Sequence, residues 1–353
     1  MTPIYTIEQY CLARMKAEKP RMRFPHSRPA TYRAWQRKFR AALGRELGAM
    51  PRRVPLHPRI VERKDMGDHV REKVVLQTER FMWMPAWVLI PKESRLKSKR
   101  GKLPAVVAAH GHGFGKDPIV GETGGKEEVA REIQQLNYDY GRQAVRRGYV
   151  VICPDWRAFG ERTDRPEWIR SGYRDRCNVA ALAVEYLGIH LLGLDVWDGM
   201  RAIDYLQNRP EVDKDRIGCL GLSFGGTMTT YLTAFDRRIK VACISGYVST
   251  LSNAMAMRLA NFCGSQAMPG LWKYGDIADV VLLAAPRPLC IEIGLQENCF
   301  HAPDMLKAAR YIRRGYKAIG AADRVVIDAF EGKHQWSGRK SWDWFEKWLG
   351  QAR

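Results

Sequence analysis

The stretch RIGCLGLSFGGTMTTYL, Arg216 to Leu232, puts a hydroxyl nucleophile where a β-like run gives way to a helix-like one. Gly221, Ser223 and Gly225 spell G-x-S-x-G, the pattern of a nucleophile elbow, in which a sharp turn lifts the serine above a sheet. Glycine suits such a turn because it permits backbone conformations and close approaches that a side chain forbids. For acyl transfer the serine also needs a base, a carboxylate to orient that base, and N–H groups to hold the oxyanion.

The chain offers a candidate for each role. His334, in DAFEGKHQW, lies four residues beyond Phe330, the last apolar residue of a strand-like run, and ahead of a final helix. His26, His57 and His69 come too early, His190 falls in a long helix-like region, and His301 adjoins the acid loop. That loop, IEIGLQENCFHAPDM, holds three carboxylates. Glu292 lies inside the strand-like run, and Glu297 follows it, three residues past Gly294. Asp304 follows a proline at a helix start, where its charge suits the dipole. Glu297 has the placement the role requires, and Asp304 is the alternative. Ser223, Glu297 and His334 then run in the order Ser–Glu–His of the α/β-hydrolases. The oxyanion donors are expected from the N–H of Phe224 and from His112 or Gly113 in HGHGFGK. The two histidines of HGHG lack a third ligand at a recognisable spacing, so no metal is expected.

Each candidate must be held at the carboxyl end of a strand, where open α/β sheets bind ligands. The chain alternates accordingly. Strand-like runs are HVREKVVLQTE, RFMWMPAWVLIPK, LPAVVAA, GYVVICPD, RIGCLGLS, KVACISG, RPLCIEIG and DRVVIDAF. Helices are expected near 137–147, over 178–207, after Ser223, near 304–319 and at the end, with an irregular insertion at about 249–285. The proline in the second run favours an edge or bulged strand. Short apolar strands between helices predict a mostly parallel sheet covered on both faces. Ahead of it, residues 1–60 form a basic helical extension. Its best helix places Trp35, Phe39, Leu43 and Leu47 at fourfold spacing, a face that packs on the main domain. Residues 61–353 are read as the catalytic domain.

Composition excludes several classes. The 353 residues carry a formal charge of +20 and are 46% hydrophobic, with no apolar run long enough for a transmembrane helix. The start has no apolar leader segment. Of the eight cysteines, Cys153, Cys219, Cys243 and Cys290 lie in apolar strand-like runs and no CxxC occurs, so reduced thiols and a cytoplasmic location are expected. The basic charge is spread out. It gives non-specific affinity for anions rather than a task, and nucleic acid is not the expected partner.

PAVVAAHGHGFGK, RRGYVVICPDWRAFGER, LLGLDVWDGMRAIDYL, DRIGCLGLSFGGTMTTYL and APRPLCIEIGLQEN together resemble the α/β-hydrolase superfamily. Within it they are similar to the acetyl xylan esterase-like and dienelactone hydrolase-like branch, which also resembles prolyl oligopeptidase catalytic domains. The resemblance covers about residues 70–349. It implies an α/β-hydrolase fold and a Ser–acid–His hydrolase without cofactor. Three departures stand out: Ser223 where dienelactone hydrolases carry cysteine, Glu297 where relatives usually carry aspartate, and Ala158 where the family's P-D-x-R-G-x-G has its first glycine.

The expected activity is carboxylic ester hydrolysis through an acyl-enzyme, on a small ester such as an acylated sugar. A prolyl oligopeptidase-like peptidase is the alternative, although residues 1–100 are too short for the propeller such enzymes carry. A non-catalytic binding protein on the same scaffold is a third reading. Asp155 and Arg157 read as residues that fix the loop after their strand. Arg157 and Arg162, with Arg165 and Arg170, are also candidates to bind a substrate carboxylate such as an acidic sugar. The sequence leaves the oligomeric state open.

Overall fold

The computed structural model describes residues 3–25, 29–96, 101–163, 176–251 and 262–350. Arg165, Arg170 and residues 252–261 of the insertion lie outside the described residues. The centre of the molecule is a nine-stranded sheet in the order β1-β2-β3-β5-β4-β6-β7-β8-β9. Its strands are β1 (Arg59–Asp65), β2 (His69–Glu79), β3 (Met82–Pro91), β4 (Leu103–Ala109), β5 (Val150–Pro154), β6 (Val212–Leu222), β7 (Ile239–Ser245), β8 (Leu289–Gly294) and β9 (Val325–Phe330). From β5 to β9 every neighbouring pair is parallel, whereas β1, β2 and β3 join antiparallel at one side.

The parallel strands are buried on both faces, which is why they read as unbroken apolar runs. In β4 all seven residues are buried and successive side chains part company. Val106 and Ala108 join a cluster with α4 (Tyr140–Arg146) and with Trp342, Phe345 and Leu349 near the C-terminus. Ala105 and Val107 join another with Ala202, Ile203 and Leu206 of α6 (Leu191–Asn208).

Four expectations need correction. β1 did not stand out in the sequence, because all its residues are exposed and no apolar alternation marks it. The helix α3 (Glu127–Leu136) likewise escaped notice. β3 is not an edge strand: it lies between β2 and β5, and its proline is accommodated because pairing with β5 begins one residue later, at Ala86. The long helix expected over 178–207 is two, α5 (Arg176–Glu185) and α6, separated around Gly188, whose left-handed φ of 67° no helix continues through. His190 therefore sits at the start of α6 rather than inside a helix.

The N-terminal region contributes α1 (Ile7–Ala17) and α2 (Pro29–Glu46). Trp35, Phe39, Leu43 and Leu47 are buried in one cluster with Met228 and Tyr231 from α7 (Phe224–Phe235) and Ile291 and Ile293 of β8. Polar side chains of α2 finish the contact. Tyr32 donates to the Leu282 carbonyl at 3.0 Å, Gln36 to Leu283 at 2.8 Å, and Arg40 to Leu283 at 3.2 Å. These carbonyls end the helix Ile277–Leu282, so α2 supplies the donors that a helix C-terminus lacks. The segment they hold leads directly into β8.

Candidate active site

Ser223 stands between β6 and α7 with φ 63° and ψ −120°, a backbone conformation that ordinary side chains rarely adopt. The surrounding glycines make this possible. A Cβ on Gly225 would lie 2.0 Å from the Ala109 carbonyl oxygen, and one on Gly221 would lie 2.5 Å from that of Gly225. One on Gly226 would meet the Ser245 oxygen at 2.7 Å. The strained turn is thus clamped between β4 and β7, and the Ser223 N–H donates to the Ser245 carbonyl at 3.0 Å.

The loops after β8 and β9 bring the other two residues together. Leu295 N donates to Phe330 O at 2.8 Å and Gln296 N to Gly332 O at 2.9 Å, lacing the two loops side by side. Gly294 is essential to that approach, since a Cβ there would lie 2.3 Å from the Lys333 oxygen. Across this seam His334 Nδ1 faces both carboxylate oxygens of Glu297, at 2.9 and 3.0 Å. A carboxylate only accepts, so Nδ1 carries the proton and Nε2 keeps its lone pair. Glu297 is itself fixed, accepting from the Cys299 N–H at 2.8 Å. Its side chain is 1% exposed and that of His334 12%, so the imidazole is the member open to solvent.

Asp304 instead pairs with His301, at 2.7 Å, at the start of the helix Ala302–Ala318. Glu292 is buried and accepts the N–H groups of Ser337 and Gly338 at 3.1 and 3.0 Å, and burial holds its carboxyl above the usual range. It ties β8 to the segment beyond His334.

Ser223 and His334 line one cavity of about 270 Å³, together with Gly111, His112, Tyr138, Cys263, Cys299 and Phe300 among others. A cleft of about 770 Å³ lies elsewhere, between residues 53–58 and α6, and holds neither residue. Another, of about 650 Å³, adjoins the Ser223 cavity through His112 and is lined further by Gly113, Phe114, Glu122, Lys126 and Phe159. The oxyanion candidates divide accordingly. Phe224 is the first residue of α7, where backbone N–H groups have no partner within the helix. His112 borders the Ser223 cavity, while Gly113 borders only the neighbouring cleft. The N–H of Gly111 is taken by the Tyr138 hydroxyl at 2.5 Å, and a Cβ on Gly111 would come within 3.3 Å of Ser223 Cβ.

The two histidines of HGHG have separate tasks. His110 is fully buried, accepts from the Trp156 N–H at 3.1 Å, and is held neutral by burial, its pKa pushed down to about 4. His112 reaches the cavity, where its Nε2 lies 3.0 Å from Cys263 Sγ. Contacts with Cys177, acting against burial, and with His112 draw the Cys263 thiol down to about 5. Burial beside Glu297 pushes the Cys299 thiol up to about 11. Cys263 carried no signal in the sequence: its partner His112 lies 151 residues away.

Arg157 and Arg162 do not line the Ser223 cavity. Arg157 donates to Asp198 at 2.9 and 3.1 Å and to Glu79 at 2.7 Å. Arg162 lies 2.8 Å from Asp198 and donates to the Asp155 carbonyl at 3.0 Å. Both side chains are buried and paired with acidic groups of β2 and α6. Asp155 accepts from Lys116 N and Nζ, both at 2.8 Å, and from Glu161 N at 3.1 Å, so it does fix its loop. Ala158, standing where the motif has glycine, takes the left-handed φ of 69° that glycine would occupy freely.

The strand order and the serine turn at the end of β6 define an α/β-hydrolase fold. The chain belongs to the Abhydrolase family, whose sequence profile matches residues 5–337. It is 28% identical over 298 residues, 82% of this chain and 91% of the other, to a protein of Bacillus subtilis (strain 168) named "Putative hydrolase YtaP". Among solved structures, a "putative acetyl xylan esterase" from Bacteroides fragilis superposes with a TM-score of 0.75 at 22% identity, over 93% of this chain and 83% of that one. A glucuronoyl esterase from Solibacter usitatus does so with a TM-score of 0.64 at 16% identity, over 98% and 97%. At these identities the two structures share the fold. Among the described residues no helix is long and apolar enough to cross a membrane.

Proposed function

We propose that the protein is a serine-dependent carboxylic ester hydrolase working through Ser223, His334 and Glu297. The observation that carries this reading is the His334–Glu297 pair, at 2.9 Å, whose imidazole lines the same cavity as a serine on a strained elbow. His334 Nε2 takes the hydroxyl proton as Ser223 Oγ attacks the ester carbonyl, and Glu297 stabilises the imidazolium that results. The N–H groups of Phe224 and His112 stabilise the oxyanion. Collapse expels the alcohol, protonated by His334, and water then attacks the acyl-enzyme with His334 as base again.

The small cavity suits a short acyl group such as acetyl, and the adjoining 650 Å³ cleft has room for a sugar alcohol. A related fold named as a putative acetyl xylan esterase supports an acylated carbohydrate as substrate. The first test is a fluorophosphonate probe combined with a series of aryl esters of increasing acyl length. Labelling is expected at Ser223 with fastest turnover of the acetyl ester. Ser223→Ala loses both while its stability stays within about 1 kcal/mol of the parent. Full turnover in that variant sinks the serine assignment, and no turnover of any ester by the wild type sinks the esterase reading.

A further inference from the structure

Beyond the catalytic set, His112, Cys177 and Cys263 bring an imidazole nitrogen and two sulfurs to within 4.8 Å of one another. They come from three places in the chain: the loop after β4, the first turn of α5, and the segment leading to the helix Leu271–Tyr274. We propose that these three residues bind a thiophilic cation of the Zn²⁺ type, in the wall of the cavity that holds Ser223.

Imidazole and thiolate are the donors such ions prefer. Bonds of about 2.3 Å to sulfur and 2.0–2.1 Å to nitrogen in a tetrahedral ion set donor atoms roughly 3.5–3.8 Å apart. The present donors, 3.0 Å apart for His112 and Cys263 and within 4.8 Å for every pair, reach that arrangement by small side-chain rotations. The backbone is already placed for it. Gly264 N donates to Asn178 Oδ1 at 2.6 Å, and Gly264 packs so tightly on α5 that a Cβ would lie 2.2 Å from that of Ala181. The loop with Cys263 is thereby fastened to the helix with Cys177. Ser265 Oγ, 2.8 Å from Cys263 Sγ, supplies the outer hydrogen bond that ligating sulfurs commonly have. Cys177 is fully buried, while His112 and Cys263 border the cavity. Three protein ligands leave one position for water or a ligand, as in open zinc sites.

Two other trios are less suited. Glu297, Cys299 and His334 include an imidazole already committed to a carboxylate, and Cys243, Cys290 and Glu292 are buried within the sheet.

The test is titration of the fully reduced protein with Co²⁺, followed by displacement with Zn²⁺ against a chromophoric chelator. A single equivalent of Co²⁺ with a thiolate-to-metal charge-transfer band is expected, displaced by Zn²⁺. Cys177→Ser and Cys263→Ser each weaken binding by about 100-fold or more, beyond the ~10–100-fold typical of outer-shell changes. Cys299→Ser leaves it unchanged. Thermal melts of the metal-free variants show that each is folded, and His112→Gln provides a ligand change that spares both thiols. Absence of the band in the wild type overturns the proposal. So does a band retained in both Cys177→Ser and Cys263→Ser, or one lost in Cys299→Ser alone.

Discussion

Arg157 and Glu297 both leave the carboxyl ends of strands, the one after β5 and the other after β8, and both are buried beside groups of opposite charge or high polarity. The Arg157 guanidinium donates to Asp198 and Glu79 and lies away from the Ser223 cavity. Glu297 meets one ring nitrogen of His334, whose imidazole lines the Ser223 cavity. Proximity to the catalytic edge is therefore no measure of a role in recognition. What separates the regions is whether a polar atom remains uncommitted and faces a cavity.

The sharpest way to break this comparison is to remove the charge from each region. Glu297→Gln is expected to lower kcat by about 10⁴, the loss seen when a triad carboxylate becomes an amide. Asp304→Asn leaves kcat near that of the parent, because its partner is His301. The opposite ranking of the two variants moves the acid to Asp304.

On the other side, Arg157→Met takes the partner from Glu79 and leaves Asp198 to Arg162 alone, and costs about 3 kcal/mol in urea unfolding, the low end of the range for breaking a buried ion pair from one end. The ratio of kcat/KM for a neutral ester to that for a matched carboxylate-bearing ester stays unchanged in the folded fraction. A ratio that moves toward the neutral ester returns Arg157 to the substrate.

The same cluster carries a pH signature of its own. Burial, with the nearby Asp198 charge, pushes the Asp195 carboxyl up to about 7 from 3.8. Below the unfolded value both states are protonated. Between about 4 and 7 the folded state keeps a proton that the unfolded state gives up, so this group lowers stability as pH rises through that window. Asp195→Asn removes the dependence, and its stability relative to the parent is expected to climb from about pH 4 to pH 7. A difference that is flat with pH shows that Asp195 is ionised in the fold.

The smallest expected effect lies at Ala158. Its left-handed backbone costs roughly 1–2 kcal/mol, and glycine's extra chain entropy offsets roughly 0.5–1 of that. Ala158→Gly thus raises stability by roughly 0–1.5 kcal/mol, read as a slightly higher Tm with ester turnover unaltered.

How much of this was legible depended on where each signal resides. The serine turn was readable because its geometry demands glycine at neighbouring positions, and three backbone collisions enforce that demand. The parallel strands were readable because burial on both faces makes them unbroken apolar runs, and the face of α2 because one-sided burial imposes a helical period. β1 was not, because an edge strand exposed along its whole length needs no apolar pattern. The ion pairs of Arg157 were not legible because its partners, Glu79 and Asp198, lie 78 and 41 residues away. The HGHG pair lacked a third ligand in its own neighbourhood, and the sulfurs near His112 arrive from α5 and from beyond the insertion. Local rules of sequence describe turns and faces, whereas charge pairing and ligand clusters are made by topology.

The grip of α2 on the carbonyls ahead of β8 also bears on how the chain is made. Tyr32 and its acceptor Leu282 are 250 residues apart. At a synthesis rate of roughly 5–20 residues per second, about 12–50 s pass between the appearance of the helix and that of its docking site. Throughout that interval Trp35, Phe39, Leu43 and Leu47 have no core to enter. Nascent chains of this protein therefore carry a sticky helix, a natural target for a ribosome-bound chaperone, until the strand bearing the acid loop has emerged.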